Sequence, residues 1–296
     1  ATSDFSVKLS KLIFSGLVTI DTADGQPELD LATSINMLND RTYEIALRTD
    51  AVWHDGRPVT AKDVRWTFMT LGRFKSPYAG LAERITRFDI KDDHHMTITL
   101  SEPHTPFMTN LAMGIVPQHA AGADGLLSPD APIGSGPFRW ETSASPSWVS
   151  LTAHAEYHGG KPELDRVVFR TMADDNARLL TMLGGGGDLV QNATAPLMLP
   201  VFDDANDVAI ETASSFKYTY LAFNLEHPIL RNKLVRQAIA HSIDRERIIA
   251  EKFRGTARTA SGIIAPEHWA HEPDVVSYGL DRAKARRLLD EAGYPD

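Results

Sequence analysis

Apolar and polar positions alternate with period two along Thr42-Tyr43-Glu44-Ile45-Ala46-Leu47-Arg48, which predicts a strand with one face against a core. A second alternation runs through Phe88 and Ile90 and resumes at Met96, Ile98 and Leu100. Asp92, Asp93 and His94 lie between the two runs, so the segment reads as a hairpin. The period changes after Thr60: Val64, Phe68 and Leu71 fall on one helical face. Thr60 is placed to cap that helix, and Asp63 three residues on makes an acidic variant of the capping box.

The opening segment Leu9 to Asp30 reads as a helical turn, a short apolar stretch and a turn at Ala23-Asp24-Gly25. Pro132-Ile133-Gly134-Ser135-Gly136-Pro137 interrupts the chain at a plausible crossing between domains, and strand-like runs follow at Trp148 to Leu151 and Arg166 to Arg170. Ala173 to Leu183 is an amphipathic helix that stops at Gly184-Gly185-Gly186-Gly187, after which Asp188-Leu189-Val190 is expected to begin a strand. Tyr218 to Asn224 is a β-rich apolar run expected deep in a sheet. Leu234 to Phe253 reads as one helix and Asp281 to Ala292 as another, capped by Asp281 and stopped by Gly293. Interleaved strands and helices favour an α/β architecture, and no internal repeat is seen.

Composition narrows the function. With 296 residues, 43% of them hydrophobic, the chain can bury cores for two or three domains. Acidic residues outnumber basic ones, 39 to 30, so the net charge of −9 argues against a nucleic-acid partner. No window approaches eighteen consecutive apolar residues, so no membrane-spanning helix is expected. The absence of cysteine excludes disulfides, thiolate nucleophiles and cysteine-held metal.

Chemical motifs are weak. Gly134-Ser135-Gly136 lacks the G-x-S-x-G frame of a nucleophile elbow, and Gly184 to Gly187 lack the Lys-Ser/Thr of a phosphate loop. His94 and His95 sit in a predicted turn, and His154 and His158 are four apart outside any helix, so eleven histidines give no ligand pattern for a metal. No catalytic residue, metal site or cofactor is expected.

Four ordered blocks carry a resemblance: Tyr43 to Arg48 running into Val52-Trp53-His54-Asp55-Gly56-Arg57-Pro58-Val59-Thr60-Ala61-Lys62-Asp63-Val64; Ile133 to Phe138 with Tyr157 to Asp165; Phe223-Asn224 with Leu234 to Ile239 and Ser242 to Arg245; and Tyr278 to Ala285 with Leu288 to Tyr294. Together the chain resembles the family-5 solute-binding proteins of bacterial ABC importers, which take up oligopeptides, dipeptides or nickel chelates. The resemblance implies an α/β, periplasmic-binding-protein-like (class II) fold with mixed sheets and flanking helices, part of a two-lobed hinge architecture. By analogy, residues 1–32 and 133–226 form a discontinuous first domain, 33–132 an inserted second, and 227–296 the incomplete beginning of the second ligand-binding lobe. Members of the family continue beyond the Ala-Gly-Tyr segment, so a truncated chain is expected, with its signal peptide absent.

The resemblance also implies a mechanism: hinge closure on a peptide, delivery to ABC permease subunits in the inner membrane, a periplasmic location and a monomeric state. A nickel chelate, a sugar or another small solute on the same scaffold, or a sensory module, are the alternatives. Carried over residue by residue, Ser15, Gly16 and Leu17 match the family's early cleft segment, with Ser15 where an acid is usual. Tyr78, in Ser76-Pro77-Tyr78-Ala79, matches an aromatic that faces ligand. Phe216, Tyr218 and Asn224 are further ligand-binding candidates, although alternation along a strand suits core packing better for the two aromatics. Asn224 would equally suit capping of buried backbone at a strand end, and Trp53 reads as a packing residue.

Overall fold

The period-two run at Thr42 forms the centre of a four-stranded antiparallel sheet. In the computed structural model, which describes residues 4–72, 78–122, 124–145, 147–192, 194–205, 207–215 and 217–295, this sheet comprises β3 (Ala32–Asn39), β4 (Thr42–Leu47), β5 (Ile85–Ile90) and β6 (His95–Leu100) in the order β3-β4-β6-β5. Ile45 stands opposite Met96 and Tyr43 opposite Ile98, so the apolar side chains of both strands share one face. The β5–β6 turn is made by the Asp92 carboxylate, which accepts the N–H groups of His94 at 2.8 Å and His95 at 2.9 Å.

Helix α2 (Ala61–Leu71) covers that face with Val64 and Phe68, both fully buried. Its start is as the sequence predicts: the Asp63 carboxylate accepts the Thr60 N–H at 3.0 Å. Trp53, Phe107, Leu111 and Ile115 complete this first hydrophobic cluster, with the Tyr43 and Phe107 rings 4.4 Å apart. Trp53 is therefore the packing residue expected of it. The short α3 (Ala79–Arg84) and α4 (Phe107–Asn110) lie around the same core.

A second, smaller cluster forms where α1 (Asp4–Ile13) meets a three-stranded antiparallel sheet, β7 (Phe138–Ser145), β8 (Trp148–Ala153) and β9 (Arg166–Arg170). Ile13, Phe138, Val149 and Leu151 are its buried members. A two-stranded ribbon of β1 (Val18–Ile20) and β2 (Pro27–Leu29) precedes β3. Every pairing among the described strands is antiparallel.

The chain divides into two compact units, Ala1–Thr171 and Met172–Asp296. The second holds α5 (Asp175–Leu183), α6 (Lys233–Ser242), α7 (Arg245–Phe253) and α8 (Arg282–Glu291). Asp281 caps α8 by accepting the Lys284 N–H at 2.8 Å, and α6 and α8 bury Val235, Ala238 and Ala285.

Three expectations need correction. The single helix from Leu234 to Phe253 is two helices, because Ile243 is extended and Asp244 turns its carboxylate to the Arg247 N–H at 3.0 Å, starting a new helix. Asp188-Leu189-Val190 forms no strand, and Leu189 is 82% exposed. Tyr218 to Asn224 has no ladder among the described residues and is not deep in a sheet: Tyr220 is 69% and Leu221 60% exposed. β-propensity favours extended backbone, but a strand exists only where a neighbour accepts its hydrogen bonds and covers its face.

Candidate functional site

Within the first unit, Ser15-Gly16-Leu17 threads between two other segments. Ser15 accepts the Ile115 N–H at 2.9 Å and Gly16 the Leu31 N–H at 3.1 Å through their carbonyls, while Leu17 donates its N–H to the Leu111 carbonyl at 3.0 Å. A Cβ on Gly16 would stand 2.7 Å from the Val18 carbonyl oxygen and 2.9 Å from that of Leu111, so only glycine allows this approach. Leu17 is wholly buried in the first cluster, and Ser15 is buried with its hydroxyl 3.5 Å from the Ser135 carbonyl.

Ser135 belongs to the Gly/Pro crossing, which passes even closer to the end of α1. A Cβ on Gly134 would lie 1.9 Å from the Ile13 carbonyl oxygen, and the Gly136 N–H donates to that oxygen at 2.8 Å. Two histidines grip the crossing. His54 donates its backbone N–H to the Gly134 carbonyl at 2.8 Å, and its ring Nδ1 accepts the Gly134 N–H at 3.2 Å. The other ring nitrogen, Nε2, lies 3.1 Å from the Gly136 carbonyl, which His154 Nδ1 also reaches at 3.2 Å. An oxygen can only accept, so His54 carries its proton on Nε2 and His154 on Nδ1. Burial pushes His54 down to about 4 and lowers His154 as well, so both rings are neutral at pH 7. They meet edge to face with centroids 4.9 Å apart.

Farther along, His158 sits with Nε2 2.6 Å from the Asp30 carboxylate, its side chain 2% exposed. Arg48 braces the pair: it donates to the His158 carbonyl at 3.1 Å and grips Asp50 through Nε at 2.6 Å and Nη2 at 3.0 Å. That bidentate grip holds the Asp50 carboxyl below its ordinary value. Tyr157, beside it, is raised by burial and then by the Asp30 charge, while a hydrogen bond with Ser15 opposes the rise. The seam between the two hydrophobic clusters is thus polar and rich in histidine.

Two cavities open on this unit. One of about 310 Å³ is lined by Tyr78, Leu81, Arg84, His104 and Asn110. Tyr78 stands half-buried at the start of α3 and packs on the first cluster; Arg84 pairs with Glu102. The other, about 190 Å³, is lined by His54, Asp55, Ile133, Arg139 and Trp140. Each brings an aromatic residue together with an arginine and further polar groups. Ser135 is fully buried and its hydroxyl has no hydrogen-bond partner among the described residues, so no base stands ready to activate it. No group of three or more His, Asp or Glu among the described residues is placed to hold a metal.

Residues 26–296 match the bacterial extracellular solute-binding proteins, family 5. The chain belongs to that family. It is 30% identical over 315 residues to the protein named Probable di/tripeptide-binding protein 5 of Pseudomonas aeruginosa, covering 96% of this chain and 59% of that one. Among solved structures it resembles the ABC transporter substrate-binding protein CtaP of Listeria monocytogenes, with 29% identity, a TM-score of 0.87 and coverage of 99% of this chain and 62% of that one. It also resembles NikZ of Campylobacter jejuni in complex with Ni(L-His), with 27% identity, a TM-score of 0.83 and coverage of 95% and 58%. The chain spans about three fifths of the length of these proteins. The fold of this family-5 chain is the class II periplasmic-binding-protein type expected from the sequence.

The expected site residues fall in both units. Ser15, Gly16 and Leu17 are packed at the seam, and Tyr78 lines its own cavity. In the second unit Tyr218 stacks on Tyr220 at 5.5 Å, and Asn224 is exposed, its side chain accepting the Glu226 N–H at 3.0 Å. Phe216, like Ser76 and Pro77, lies outside the described residues. In the sequence Arg48, His54, Tyr157 and His158 fall within the motif blocks but carry no expected role, Asp30 is unmarked, and His154 and His158 are read as histidines without a metal-ligand pattern. Their one legible signal was position, since they flank the Gly/Pro crossing and the family's Asp-Gly and Tyr-His-Gly-Gly turns.

Proposed function

We propose that this chain is the solute-capturing part of an ABC importer, that peptides are its ligands, and that it works in the periplasm as a monomer which hands its ligand to inner-membrane permease subunits without chemical change. The observation that carries this is the family match over residues 26–296, joined to a 30%-identical relative named for di- and tripeptides. Main-chain pairing with an extended ligand would explain tolerance of peptide sequence. In this reading Tyr78 meets ligand from its cavity, and Ser15, Gly16, Leu17, Phe216, Tyr218 and Asn224 are the further ligand-binding residues. The domain division 1–32 with 133–226, 33–132 and 227–296 belongs to the same proposal.

A nickel chelate is the second reading, favoured by the likeness to NikZ bound to Ni(L-His). Native mass spectrometry of the protein purified from its own cells without denaturation separates the two. A heterogeneous set of short peptides released from the protein supports the first reading. A single chelate mass with a nickel isotope pattern replaces it with the second, and a protein that is empty and takes up neither di- and tripeptides nor Ni-histidine rejects both.

A further inference from the structure

The two hydrophobic clusters of the first unit share no buried member, and the polar seam runs between them alongside the Ile13–Leu17 segment that passes from one to the other. On one side stand His54, which follows Trp53 of the first cluster, and Asp30, which precedes Leu31. On the other stand the Gly134–Gly136 crossing that leads into Phe138, and the loop after β8 that carries His154 and His158. We infer that this seam is a protonation-sensitive joint, in which His54 holds the two parts together through the Gly134–Gly136 backbone, with His154 bracing the same Gly136 carbonyl from the far side, and acidification loosens them.

Which ring atoms carry protons decides the response. His54 occupies both ring nitrogens, one accepting the Gly134 N–H and the other facing the Gly136 carbonyl. A protonated imidazole has no acceptor, so a proton on Nδ1 breaks the first of these bonds and sets N–H against N–H. The surroundings do not welcome that charge. His54 faces His154 from the loop after β8, Arg139 from β7, and Asp55 from its own loop, and Asp55 is already engaged by His119 at 2.8 Å. His154 faces Arg139, His158 and Glu156, and His158 is itself tied to Asp30. Burial is the largest influence on both rings, and Arg139 acts in the same direction on each.

The sign follows. A histidine held below its ordinary value of 6.5 in the closed seam leaves closure unaffected above that pH, where the ring is neutral open or closed. As pH falls below 6.5 the open form gains a proton that the closed form refuses, and the loss is complete once pH reaches about 4. Taking those two values, His54 alone raises the population of the open seam roughly 30-fold between about pH 7.5 and about pH 5.

Amide hydrogen exchange of the full chain, corrected for intrinsic rates, tests this in fragments covering residues 131–140. The expected result is a loss of protection there on the order of 30-fold across that pH interval, with the strands at 42–47 and 95–100 unchanged. His54→Asn, which keeps a donor and an acceptor but cannot titrate, should flatten the response. Equal pH dependence in His54→Asn and the parent, or protection in the parent that does not change with pH, overturns the proposal. If the variant does not fold, ¹⁵N imidazole spectra of the parent decide. An Nε2–H tautomer of His54 that titrates near pH 4 together with the Gly134 amide supports the joint, and titration at the ordinary histidine value with no response at Gly134 refutes it.

Discussion

The chain's tightest backbone approaches are set by missing side chains, and Gly134 is the clearest case: the carbonyl of Ile13 occupies the space a methyl group would need, with 1.9 Å between them. No rotamer relieves a clash between Cβ and backbone, so the α1 terminus or the crossing would have to move. Gly134→Ala should therefore cost about 3 kcal/mol, read from a urea transition, whereas alanine at Gly262, which meets nothing within 4 Å, should cost little. His54 shows the complementary lesson. A histidine after a tryptophan in an Asp-Gly turn looks like a surface residue in the sequence. Its role depends on Gly134 and Gly136, eighty and more positions away, and no local pattern predicts that encounter.

Among the elements, α2 was the most legible, since its cap, period and apolar face all agree. Asp63 does more than the capping box requires: one carboxylate oxygen takes the Thr60 N–H, and the other takes the Gln118 N–H at 3.0 Å, tying the helix start to a distant loop. Asp63→Ala should accordingly destabilise by about 2 kcal/mol, against about 1 kcal/mol for Thr60→Ala, a difference measurable as separate urea midpoints at equal slope. The hairpin of β5 and β6 was equally readable, because alternation and the Asp92 turn are both local. Tyr218 to Asn224 was not, because a strand is a relation between two segments, and its sequence carries only one of them. The break at Ile243-Asp244 lay in plain view as an Asp that caps α7, yet a continuous apolar stripe concealed it.

For the whole molecule, the separation of cores in the first unit has a direct consequence. Leu151 is fully buried in the smaller cluster. Leu151→Ala should cost about 3 kcal/mol, and hydrogen exchange should rise first in β7, β8 and β9 while β4 and β6 stay protected. The sequence alone determined the class of fold, the strands and helices whose periods are strong, the lack of cysteine chemistry and, through four ordered motif blocks, the solute-binding family. These are properties of local spacing and residue type, which the chain carries at every point along its length. Tertiary structure decided which apolar faces share a core, that Ser15, Gly16 and Leu17 are buried, that Tyr78 borders a cavity, and that three histidines and an aspartate line the seam beside the crossing. Burial, proton position and the partner of each polar atom depend on segments far apart in the chain, and those are fixed only when the chain folds.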